Sequence, residues 1–195
     1  MAIAEQSSPV VTRRRFSVTE YYRMAEAGIL REDDRVELID GEIIQMSPIG
    51  TRHAECVNTV NELMSALVRG QARVRGQSPI HLNDLSEPQP DLVVARRGRY
   101  RQAHPTPQDI LILIEVADSS LDYDHDVKLP LYATAGIAEV FVVDTVHDVV
   151  EQHTEPRDGR YQRVVSAGRG ETLTSTVLPA VILPVDVALG YELPE

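Results

Sequence analysis

The chain has 195 residues, 43% of them hydrophobic, enough for one domain with a real core. No apolar run approaches the roughly 20 residues of a membrane span, and the N-terminus lacks the apolar centre of a secretory signal, so a cytoplasmic location is expected. The single cysteine excludes an internal disulfide and any cysteine-based zinc site.

The net charge of -11 argues against a nucleic-acid partner until its distribution is read. Residues 1 to 101 balance 14 arginines against 14 acids, so the whole deficit lies in residues 102 to 195. Whatever basic surface exists belongs to the first half.

Residues 1 to 16 show no periodicity and read as a flexible arm before a single domain spanning 17 to 195. A helix opens at Ser17, because Ser17 and Glu20 form a capping box and Val18, Tyr21, Tyr22, Ala25 and Ile29 follow at helical spacing. The two tyrosines are expected to pack in the core. Arg35 to Met46 alternates around Asp40-Gly41, the signature of a tight hairpin, which sets Glu37 opposite Ile44 and among apolar neighbours.

Arg52 to Arg69 is the clearest helix, with Cys56, Val57, Val60, Leu63, Met64 and Leu67 on one stripe. Cys56 reads as a small core hydrophobe, and His53, one turn earlier, as a hydrogen-bonded core group or a second-tier site residue. Short strands are expected near Ala72 to Arg75 and Ile80 to Leu82, with Gln77 able to reach a site from a strand end.

Residues 89 to 128 organise the rest. Asp91 begins the branched apolar run Leu92-Val93-Val94, and Glu115 sits near the end of the run from Ile110 to Ala117, which is apolar on both faces and so reads as a central strand. A buried carboxylate is costly unless it is paired, protonated or metal-bound, so two acids at neighbouring strand ends suggest an oxygen site for a hard cation such as Mg2+. Between them Arg96, Arg97, Arg99 and Arg101 crowd one turn without an acid; they are phosphate-contact candidates or a solvated loop. Of 19 basic residues 18 are arginine, which leaves Lys128 as the only lysine. A compact ammonium can sit beside a scissile phosphate and a water where a planar guanidinium does not fit as well.

Asp122, Asp124 and Asp126 alternate but lack the glycine and closing glutamate of a calcium loop; Asp122 or Asp124 serves more simply as a helix N-cap. Pro130 requires the following helix to start late or to kink. Three alternating strands, Glu139 to Val143, Val149 to His153 and Tyr161 to Val165, form an antiparallel meander. His125, His147 and His153 show no ligand spacing with one another. There is no internal repeat, phosphate-binding glycine loop or Gly-x-Ser-x-Gly elbow.

Pro90-Asp91 followed by Glu115-Val116-Ala117 resembles the PD-(D/E)xK nuclease superfamily, with Ala117 where that superfamily carries lysine. The wider pattern, Val36 to Glu42 upstream and Asp126-Val127-Lys128-Leu129, Tyr132-Ala133, Gly136 and Glu139 downstream, resembles the bacterial Uma-type family over roughly residues 17 to 185. There the lysine has moved to the helix after the acidic strand. The resemblance implies a restriction-endonuclease-like α/β fold, a mixed central sheet flanked by helices, and Mg2+-dependent endonuclease activity on nucleic acid, with Mn2+ able to substitute. It implies metal held by Asp91, Glu115, the Val116 carbonyl and Glu37, with Lys128 completing the catalytic set. By analogy it also implies a homodimer. A catalytically degenerate nucleic-acid-binding module, or a regulatory interaction module, on the same fold is the alternative.

Overall fold

Strand β5 (Ile110–Ala117) is buried along its whole length, because its side chains are apolar on both faces except for Glu115. The computed structural model describes residues 12–31 and 33–193, and in it β5 lies inside a six-stranded sheet. The other strands are β3 (Ala72–Gly76), β4 (Leu92–Arg96), β6 (Glu139–Asp144), β7 (Val149–Arg157) and β8 (Arg160–Gly168), in the spatial order β3-β4-β5-β6-β7-β8. Only β5 and β6 pair in parallel; the other four pairings are antiparallel. A parallel pair needs a crossover, and the helical segment from Leu121 to Thr134 supplies it.

Two cores sandwich the sheet. Helix α2 (Thr51–Leu67) buries Cys56, Val57, Val60, Leu63 and Met64 against Leu92, Val94, Ile112 and Ile114, and α5 (Val185–Ala188) packs beside it. The opposite face carries Val93, Leu113, Ala117, Val140 and Val142 under Leu129 and Tyr132 of the crossover. The alternation of β4 and β5 thus sends one set of side chains to each layer.

The hairpin forms as its turn residues require. β1 (Val36–Ile39) and β2 (Glu42–Gln45) pair with Glu37 opposite Ile44, and Asp40 and Gly41 both have positive φ (52° and 78°), the tight turn that matches strand twist. Gly41 is needed twice over, since a Cβ there would lie 2.5 Å from the Cβ of Arg15. The hairpin is a separate two-stranded sheet, tied to the loop before β4 by a bridge between Leu38 and Glu87. β9 (Thr172–Thr174) and β10 (Ile182–Pro184) form a second small sheet.

Three expectations need correction or bounding. Ile80 to Leu82 is not a ladder strand: its N–H groups bond singly to Pro88, Pro105 and Ser86 carbonyls, an extended loop held from several sides. Helix α1 (Val18–Glu26) has its capping box but buries no residue; Tyr21 and Tyr22 act through their hydroxyls, donating to the Val36 carbonyl and the Glu87 carboxylate. Residues 1 to 11 of the arm lie outside the described residues, while Phe16 already donates its N–H to the Gly41 carbonyl (2.8 Å). Among the described residues no helix is long and apolar enough to cross a membrane.

Candidate active site

The register of β4 against β5 brings the first two acids together. Leu92 pairs with Ile114, so Asp91, one residue before β4, lies across from Glu115. The Asp91 N–H donates to Glu115 Oε2 (3.3 Å) and the Val116 N–H donates to Asp91 Oδ2 (2.8 Å), which locks both carboxylates to the strand ends. His53, from the first turn of α2, places Nε2 2.9 Å from Asp91 Oδ1. That bond raises the His53 pKa, against an opposing effect of burial. Glu37 arrives from β1 and accepts the Gln89 N–H at Oε2 (3.0 Å).

The cation comes from the crossover. Helix α3 (Leu121–Tyr123), a π-helical turn (Asp124–Lys128) and helix α4 (Leu129–Thr134) follow one another with helical dihedrals at each join. The π turn is marked by the Leu129 N–H bonding five residues back to the Asp124 carbonyl. It answers the Pro130 problem: proline has no N–H and its ring would press on the Asp126 carbonyl in a regular helix, whereas the wider turn leaves Pro130 in the first turn of α4.

Asp124, Lys128 and Tyr132 then form one stripe at four-residue spacing, facing Glu115. Lys128 Nζ lies 3.3 Å from Glu115 Oε1, 3.7 Å from Glu37 Oε1 and 3.9 Å from Asp124 Oδ1. Tyr132 donates its hydroxyl to Glu115 Oε1 (2.5 Å). Ala117, on the same face of β5 as Glu115, is fully buried beneath this helix. Its small side chain leaves room for the helix that carries Lys128.

The charge balance is uneven. Glu37, Glu115 and Asp124 are buried around one buried ammonium, with Asp91 half-buried beside them. Burial pushes the Glu115 carboxyl up to about 8, with Lys128 pulling the other way and the neighbouring acids Asp124 and Asp91 adding to the rise. Burial likewise raises Asp124. For Lys128 burial favours the neutral form, but Glu115, Glu37 and Asp124 outweigh it and hold the ammonium above its ordinary range. This surplus of acid is the environment that a divalent cation fits.

These groups line an open cleft of about 250 Å3, bounded also by Arg35, Gln89, Ser119 and Tyr123. Within it stand Glu37, His53, Asp91, Glu115, Val116 and Lys128, all singled out from the sequence. Gln77 is not in the lining; its carbonyl accepts a hydrogen bond from Gln89, which does reach the cleft. Arg96, Arg97, Arg99 and Arg101 are also elsewhere. They begin with Arg96, the last residue of β4, about 16 Å along the strand from Asp91 at 3.3 Å per residue. Arg96 there donates to the Gln108 carbonyl and Arg97 to the Gly70 carbonyl.

Sequence reading had missed Asp124 as a site acid, Tyr132 as the partner of Glu115, and Gln89. The stripe Asp124, Lys128, Tyr132 is a legible signal, since four-residue spacing sets all three on one helix face.

No curated protein matches the chain. Among solved structures, a crystal structure described as a putative nuclease belonging to DUF820, from Anabaena variabilis, superposes with a TM-score of 0.67 at 15% identity. The match covers 86% of this chain and 97% of that one, a likeness of fold. The family model Uma2, described as "Putative restriction endonuclease", matches residues 18–186, which include every group in the cleft. With a family match over most of its length and a restriction-endonuclease-like fold, the chain belongs to the Uma2 family.

Proposed function

We propose that this protein is a divalent-metal-dependent endonuclease that hydrolyses phosphodiester bonds of DNA. The observation that carries the reading is Lys128 Nζ at 3.3 Å from Glu115 Oε1, a buried lone lysine aimed at the acid of the central strand. Asp91, Glu115 and the Val116 carbonyl would hold Mg2+ or Mn2+, with Glu37 as an accessory acid. When bound, the ion supplies positive charge beside the phosphate and makes a water acidic enough to serve as nucleophile near neutral pH.

The chain's own residues do the rest. His53 fixes the rotamer of Asp91, and Tyr132 fixes that of Glu115. Lys128 presents a preorganised ammonium where negative charge grows on the phosphate, or holds the attacking water in line. Arg96, Arg97, Arg99 and Arg101 would meet backbone phosphates away from the cut. Two copies of the chain would serve the two strands of a duplex, with the cytoplasm as the compartment.

Ala117 in the lysine slot of the strand favours a second reading, a binding module that no longer cuts. One experiment separates the two. Plasmid DNA incubated with the protein and Mg2+ or Mn2+ should be nicked or linearised, and Asp91→Ala or Glu115→Ala should abolish this. Most of the cleavage surviving in either variant would remove the active-site assignment, and metal-independent binding without cleavage by the wild type would establish the second reading.

A further inference from the structure

Two strands over from Glu115 on the same face of the sheet, a second set of ligand side chains converges. Glu151 and His153 stand at alternate positions of β7 and so share a face; Gln152 between them turns the other way and donates to Glu139 (2.7 Å). His125, on the π turn, comes down onto that face. Its Nε2 lies 2.9 Å from Glu151 Oε2, and His153 Nε2 lies 2.8 Å from the same oxygen. The two imidazoles meet edge to face, 5.9 Å between centroids. Among the described residues this is the one group of three such side chains whose donor atoms all fall within 4.8 Å of one another.

Hydrogen bonding accounts for only part of it. His153 bonds to Glu151 with acceptable geometry. His125 Nε2 is shielded from solvent and stands 2.9 Å from the same Glu151 oxygen, so both imidazole nitrogens converge on one carboxylate oxygen. Two imidazole nitrogens and a carboxylate drawn together within 4.8 Å call for an explanation, and a shared ion is an obvious one.

We infer that His125, Glu151 and His153 form a Zn2+ site separate from the acidic cleft. Two imidazoles and one carboxylate suit a borderline ion such as Zn2+, while Mg2+ and Ca2+ select oxygen donors. Ligands about 2.0 to 2.2 Å from a tetrahedral ion lie about 3.4 Å apart, so the present contacts need to open by about half an ångström. The His125 side chain, 36% exposed, is free to make that adjustment and leaves the fourth position open to water. Such an ion would join the turn three residues before Lys128 to the β7 strand, and so brace the crossover. This inference does not depend on the nuclease reading.

The test uses the full chain in excess Mg2+, titrated with Co2+ while visible absorption is recorded, then with Zn2+ as competitor. One Co2+ per chain with tetrahedral bands, displaced by Zn2+, is expected, and Zn2+ should raise the melting temperature. His125→Gln should weaken uptake by at least about tenfold and abolish that rise, with the metal-free melting temperature little changed because the side chain is partly exposed. Asp91→Asn should leave uptake as it is. No stoichiometric uptake, unchanged uptake in His125→Gln, or loss of uptake in Asp91→Asn would each overturn the assignment; the last would place the ion in the acidic cleft.

Discussion

Lys128 reaches Glu115 from a helix, Nζ to Oε1 3.3 Å, rather than from the strand that carries the acid. If its role is to stabilise charge on the phosphate, Lys128→Met should lower single-turnover cleavage by at least about 10²-fold while Mn2+ still binds. Lys128→Arg should not restore the rate, because a planar fork cannot occupy the position of a compact ammonium among three carboxylates. Recovery of most activity by arginine would show that charge alone suffices.

The metal-free protein should lose stability as pH rises. Glu115 has a folded-state pKa raised from 4.5 to about 8, so its contribution is fully present below 4.5 and is lost as pH rises through about 8. Lys128, also raised, keeps its contribution up to its ordinary value of 10.5 and does not cancel the trend in this window. In EDTA, melting temperature should fall between about pH 5 and 8, and Glu115→Gln should flatten that fall. Divalent metal needs the ionised carboxylate, so Mn2+ affinity should climb over the same range with proton release. A wild-type profile as flat as that of the glutamine variant would disprove the link.

His53 holds Asp91 at 2.9 Å without standing on either acidic strand. Its removal should act through that carboxylate: His53→Ala is expected to weaken Mn2+ binding by about 10- to 100-fold, as measured by calorimetry. Unchanged Mn2+ affinity would mean that the histidine is merely packed there.

The arginine turn lies beyond a Debye length of about 8 Å from Asp91 at physiological salt. Replacing Arg96, Arg97, Arg99 and Arg101 with Ala should therefore leave Mn2+ binding intact, lower DNA affinity and reduce the slope of log affinity against log salt. A slope identical to wild type would exclude this turn from phosphate contact.

Elements with a strong local period were legible in the sequence. The capping box at Ser17, the Asp40-Gly41 turn, the stripe of α2 and the doubly apolar β5 all fold as their spacing dictates. Asp91, Glu115 and Lys128 stood out as charges set in apolar runs or as a singular residue type. What escaped depends on geometry beyond one element. Neighbours in sequence such as Asp91 and Arg96 are set apart by an extended strand, while His125 and His153, far apart in sequence, are brought into ring contact by the crossover and β7. The π turn was invisible because Pro130 announces a disturbance in a helix but not which way the chain relieves it.

The buried Ala117 has a consequence for how such enzymes are found. A pattern that demands lysine two residues after the strand acid passes over this chain, although an ammonium stands beside Glu115 all the same. Ala117, which carries no charge, packs under Leu129 and Tyr132. Relatives in which either location holds the lysine would set an ammonium beside the same strand acid, and searches keyed to where the nitrogen ends up would group them where searches keyed to residue order divide them.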